Sequence, residues 1–145
     1  MKLTHLKALE GVAEALRDQI APNLTDKFAI EAARQAGSVL MISALAMDDA
    51  VEIRVAELER MRSLFEAALM LSPPLELALR LASVLAGEHP GLRISALDAA
   101  LAALRALLVD LHAWAEGQEG ENPRALDRAI WQALREAEMS RAPRA

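Results

Sequence analysis

Residues 38–49 read SVLMISALAMDD. Ten positions pass without a charge. Val39, Leu40, Met41, Ile42, Leu45 and Met47 fall on every side of a helical wheel, and two aspartates then arrive together. Ten residues of helix rise about 15 Å, roughly half the hydrocarbon thickness of a bilayer, so the run is too short to span a membrane. A helix that is apolar all round has to be covered all round. Three arrangements achieve this: a central place in a bundle, one face given to a second copy of the chain, or the lining of a cavity for an apolar ligand. Central burial is the leading expectation and a subunit interface the next. Each Leu, Ile or Met moved from water into a core contributes about 1.5–3 kcal/mol. Leaving several of them in water would forgo a large part of an ordinary domain's stability.

Composition points the same way. The chain has 145 residues, 54% of them hydrophobic and only 3% aromatic, so any core is aliphatic. Ala and Leu, the strongest helix formers, supply more than a third of the positions. Runs of alternating β-branched residues are absent, and no sheet is expected. The reading is an all-α fold, a single-domain bundle of five or six helices over residues 1–145. The helices are mostly antiparallel because the connections are short, the 28–47 helix is central, and 140–145 form a frayed tail.

Outward from the uncharged run, the helices follow from stripes and caps. Thr4 caps a first helix whose stripe is Leu6, Leu9, Ala13, Leu16 and Ile20, and Pro22 ends it. A second begins near Asn23 or Thr25, and its small face of Ala29, Ala32, Ala33, Ala36 and Gly37 lets another helix come close. Asp49 with Glu52 reads as a capping pair for a third helix, but no Gly or Pro separates the two segments. Residues 26–71 therefore form either one helix or two. In the third segment Glu57, Glu59, Arg60 and Arg62 are expected to face water. Ser72 before Pro73 and Ser95 before Asp98 read as caps of the fourth and fifth helices, and Asn122 and Pro123 as the start of the last.

Chemistry is sparse. With no cysteine, disulfides and thiolate metal sites are excluded. The N-terminal stretch carries charges throughout, so a secretory signal is not expected and the cytoplasm is the assigned compartment. A net charge of −5 and a pI near 5.2 argue against nucleic-acid binding. There is no P-loop, dinucleotide fingerprint or Gly-x-Ser-x-Gly. None of His5, His89 and His112 follows a Glu by three positions, as helical di-metal sites require. His112 and Glu116 form an i, i+4 pair, read as a surface hydrogen bond. Asp48, Asp49 and Glu52 read as a general base or a cation site at a helix junction or, preferably, as helix capping. No catalytic residue, metal or cofactor is assigned, and the chain is not expected to be an enzyme. The candidate interface or ligand-contact residues are Met41, Ile42, Leu45 and Met47, with Trp114 and Trp131 at the margins of apolar stripes.

Two stretches carry a family resemblance. NLTDKFAIEAA supplies Leu24, Thr25 and Asp26 near a helix start, and LAMDDAVEIRVAELERMRSLFEAA supplies Asp48, Glu57, Arg62, Leu64 and Phe65. Met47 and Leu58 stand where that pattern has an aromatic and an Asn. Together these resemble small uncharacterised all-helical bacterial proteins often encoded beside acyl-CoA dehydrogenase-like or aminoglycoside-phosphotransferase-like enzymes. The resemblance implies an accessory role near acyl-CoA metabolism and no catalytic residues. The functional expectation is a non-catalytic interaction protein, self-associating as a homo-oligomer (a dimer) and assisting a partner enzyme, with neither nucleic acid nor membrane as partner. The alternative is a protein that binds a small apolar, acyl-type ligand.

Overall fold

A computed structural model describes residues 4–142. Among them are six α-helices and no strand: α1 (His5–Glu14), α2 (Lys27–Asp48), α3 (Ala50–Leu69), α4 (Leu75–Ala86), α5 (Ile94–Glu116) and α6 (Glu121–Arg141). The all-α expectation holds. The described residues group into two compact units, 4–50 and 51–142. The division falls next to Asp49, inside helical sequence with no Gly or Pro to mark it, so composition carries no sign of a boundary there.

In the first unit α1 pairs with α2. Thr4 caps α1 as its sequence suggests, its Oγ1 accepting the Lys7 N–H at 3.3 Å. The helix then widens into a π turn over Ala15–Ile20 and tightens into a 3₁₀ turn over Ala21–Asn23. The π turn adds residues without completing an ordinary turn, so the stripe slips by one position. Ile20, expected inside, is 46% exposed, and Ala21 is buried instead. Asp26 then caps α2 by accepting from the Phe28 and Ala29 N–H groups.

The small face of α2 does what its sequence suggests. A Cβ placed on Gly37 would lie 2.9 Å from the Ala13 carbonyl oxygen, so the two helices touch through backbone. Gly37→Leu is therefore expected to destabilise the α1–α2 pair by about 1–3 kcal/mol through overpacking. Amide hydrogen exchange along the two helices measures this; unchanged protection would mean that they do not approach so closely.

The central place assigned to the 28–47 helix is corrected by burial. Along α2 only Gly37 and Ala44 are fully buried. Val39 is 62% exposed and Phe28 86%. Apolar residues all round a helix say that cover is needed, but not which side receives it. Here the fully buried stripe consists of small residues; Ile30, Leu40 and Met41 beside it are half-buried, and Val39, Ile42, Leu45 and Met47 are exposed. Asp49 closes α2 with φ −110° and ψ 9°, and α3 starts at the next residue, so 26–71 is two helices.

In the second unit the core helix is α5. Leu97, Leu101, Leu104, Leu107, Leu108, Leu111 and Ala115 are buried along it. They pack with Leu58, Met61, Phe65 and Ala68 of α3, Leu77 and Leu81 of α4, and Leu126 and Ile130 of α6. Polar contacts fix the order of the helices. Arg54 meets Asp98 and Glu57 meets Arg105, so α3 and α5 run in the same direction. Glu57 with Arg141 and Arg60 with Glu136 set α3 and α6 antiparallel. Arg62 donates to the Val84 and Leu85 carbonyls at 3.1 and 2.7 Å at the end of α4, where Val84 also accepts the Gly87 N–H.

Several local expectations shift. Ser72 is not a cap of α4; it ends α3 in the left-handed region at φ 53°, its N–H donating to the Leu69 carbonyl. Ser95 lies inside α5, whose N-cap is Arg93. Gly120, at φ 115°, takes the N-cap of α6, a conformation that L side chains rarely adopt. The tail expected to fray from residue 140 is helical through Arg141, and 143–145 lie outside the described residues.

Candidate functional site

Two places merit attention as sites, one in each unit. The first is the outer face of α2. Val39, Ile42 and Ala46 follow one another at i, i+3 and i+7, on the side of the helix opposite the Gly37–Ala44 stripe. Leu45 and Ser43 flank them. Ile42 is 47%, Leu45 41% and Met47 48% exposed, while Met41 is half-buried. No Lys, Arg, Asp or Glu occurs between Lys27 and Met47 beyond Glu31 and Arg34, which pair with each other at 3.4 Å. Four of the residues singled out from sequence thus lie together on one helix, three of them open to solvent.

The second place is polar and spans α5 and α6. His112 Nε2–H donates to Asp127 Oδ1 at 2.8 Å, and Glu116 Oε1 lies 3.6 Å from the same nitrogen. The His112 ring meets Trp131 edge to face, with centroids 5.2 Å apart. Trp131 is half exposed at the edge of this cluster, whereas Trp114 is partly buried against the core. The two tryptophans, grouped with the α2 residues on sequence grounds, belong to the other unit. The His112–Glu116 spacing was legible. Asp127 was not, because the phase of α6 relative to α5 is set by the turn at 117–120.

Glu57 was also missed. Expected to face water, it is 3% exposed. Arg105 donates to its Oε1 from Nε and Nη2 at 2.9 and 2.8 Å, and Arg141 Nη2 donates to Oε2. A signal was present. Glu57 precedes Met61 by four and Leu64 by seven, which sets it within an apolar row, and an isolated carboxylate in such a row needs cations from neighbouring helices. Arg62, likewise expected outside, is half-buried on the α4 carbonyls.

At the surface, charge pairs act locally. The Arg128 guanidinium beside Glu121 lowers that carboxyl's pKa, and Arg17 does the same for Asp18. An open depression between α3 and α6, lined by Glu59, Arg60, Leu64, Gln132 and Glu136, has a mixed lining. Near it, among Met61, Leu108 and Leu134, the free volume is about 10 Å³, room for no more than one water. No described helix is long and apolar enough to cross a membrane. Comparison of the chain with protein-family models, with curated proteins and with solved structures finds no match.

Proposed function

We propose that this chain is a non-catalytic cytoplasmic interaction protein that self-associates through the outer face of α2. The observation that carries the reading is the exposure of Val39, Ile42, Leu45 and Met47 on one uncharged helical segment. The fully buried positions of α1 and α2, with the turns between them, are Ala13, Ala21, Gly37 and Ala44, none larger than alanine. Around such a seam Leu6, Leu9, Leu16, Ile30, Leu40 and Met41 are only half-buried, and helices of this length draw most of their stability from packing. Further cover stabilises them.

A second copy suits this face better than a charged partner. The chain carries a net −5, so two copies repel each other over most of their surfaces. The uncharged face is where that repulsion is least. An isologous contact needs a self-complementary patch, and an aliphatic face is complementary to itself. Two copies would bring two helices each into a four-helix arrangement. Burying the exposed halves of these side chains is worth on the order of 1 kcal/mol each.

The resemblance to helical proteins encoded beside acyl-CoA dehydrogenase-like enzymes supports an accessory role to such an enzyme. The alternative of an acyl-type ligand finds no enclosed cavity in the depression between α3 and α6, which is open, or in the space near it, which admits at most a water. Light scattering during gel filtration tests self-association. The unsubstituted chain is expected to run as a dimer and Val39→Glu/Ile42→Glu as a monomer of 15.7 kDa, while Met139→Glu, also at an exposed apolar position, leaves the dimer intact. An unsubstituted chain that stays monomeric at high concentration would overturn the proposal.

A further inference from the structure

We infer that His112, Glu116 and Asp127 form a binding site for a divalent transition-metal ion, with zinc the best match to the donor set. The site lies wholly within the second unit and is independent of self-association. His112 and Glu116 stand one turn apart on α5, and Asp127 comes from α6 across the turn at 117–120. One ligand atom from each lies within 4.8 Å of the other two.

The convergence is on a single atom. Both carboxylates approach Nε2 of His112, at 2.8 and 3.6 Å. A neutral imidazole offers one N–H there, which satisfies Asp127 and leaves Glu116 turned toward the same point without a proton of its own. A cation at that point satisfies all three groups. Zinc bonds of about 2.1 Å at tetrahedral angles place neighbouring donors about 3.4 Å apart. The two observed separations straddle that value and the two carboxylates lie within 4.8 Å of each other, so side-chain adjustments on the order of an ångström complete the geometry. His112 is the least exposed of the three side chains, at 19%, and Trp131 packs against its ring. The ring is thereby held while Glu116, at 59% exposure, is free to swing in.

Imidazole nitrogen with carboxylate oxygen suits zinc among the available divalent ions. Three protein donors leave a fourth position for water. On binding, the Nε2 proton relocates through solvent to Nδ1, so the ring stays a neutral imidazole and its freed Nε2 lone pair forms the bond to zinc with no net proton released; both carboxylates bind ionised. The ion then ties α5 to α6 next to their connecting turn.

Trp131 provides the readout. Titration with Zn²⁺ is followed by calorimetry, and titration with Co²⁺ by tryptophan fluorescence, since a paramagnetic ion beside His112 quenches the neighbouring indole. The expected result is saturable 1:1 binding, with quenching reduced in Trp131→Phe, where Trp114 alone remains, while zinc binding persists. Asp127→Asn, which keeps the shape of the α5–α6 contact, is expected to weaken Zn²⁺ at least about tenfold, and His112→Gln to abolish it. His89→Gln, in the loop before α5, is the histidine control and leaves affinity unchanged. Absence of saturable Zn²⁺ binding, or binding that survives His112→Gln and Asp127→Asn together, would overturn the assignment.

Discussion

Removing both arginines that hold Glu57, in the double variant Arg105→Ala/Arg141→Ala, is expected to lower the unfolding free energy of α3–α6 by about 3–5 kcal/mol in urea titrations. The reason is asymmetry of exposure. Both arginines keep about two-fifths of their side-chain surface in water, at 41%, while the Glu57 side chain keeps 4%. An arginine that loses its partner rehydrates; the carboxylate cannot. Arg141→Ala alone costs less, because Arg105 still makes two bonds to Oε1. Adding Glu57→Met to the double variant is expected to recover most of the loss, since an apolar side chain of similar volume needs no counter-charge. A double variant as stable as the unsubstituted chain would show that Glu57 is solvated and that the clamp is not formed.

The two phenylalanines give the second large effect, through contrast. Phe65 is fully buried among leucines of α3 and α5, and Phe65→Ala should cost about 3–5 kcal/mol in the same titration. Phe28, at 86% exposure on the first turn of α2, should cost within about 0.5 kcal/mol in the isolated chain. If Phe28→Ala destabilised the monomer as much as Phe65→Ala does, the first turn of α2 would have to be covered within the chain.

These contrasts mark what periodicity can and cannot reveal. The α5 stripe of Leu97, Leu101, Leu104, Leu108 and Leu111 is legible because spacings of three and four repeat over about four turns against a remainder rich in alanine, and all five leucines are buried. Thr4 was legible because an N-cap is a local interaction. Ile20 was misplaced because the π turn changes the local period, and no residue in ALRDQI announces it. The 28–47 helix was misplaced for a different reason. A stretch apolar on all sides has no phase, so the wheel does not say which side meets a neighbour. Gly37 carried that information, since only a glycine lets backbone come within 2.9 Å of where a Cβ would stand.

The polar sites show the same limit. The His112–Glu116 pair follows from one helix and was seen; Asp127 and the two arginines on Glu57 come from other helices and were not. Contacts between helices depend on rotational phase and crossing, which turns such as 70–74 and 117–120 set. The Glu57 position within an apolar row was the one signal available beforehand. It predicts burial, though not which cations answer it.

In the proposed dimer a second copy covers the outer face of α2. Because the chain contains no cysteine, Ala46→Cys provides a single attachment point for a spin label on that face, and Met139→Cys a comparable one on α6. Electron paramagnetic resonance spectra of each are recorded while protein concentration rises. The account predicts that the label at position 46 becomes immobilised as copies associate, while the label at position 139 keeps its mobility. A label at position 46 whose spectrum does not change with concentration would contradict it.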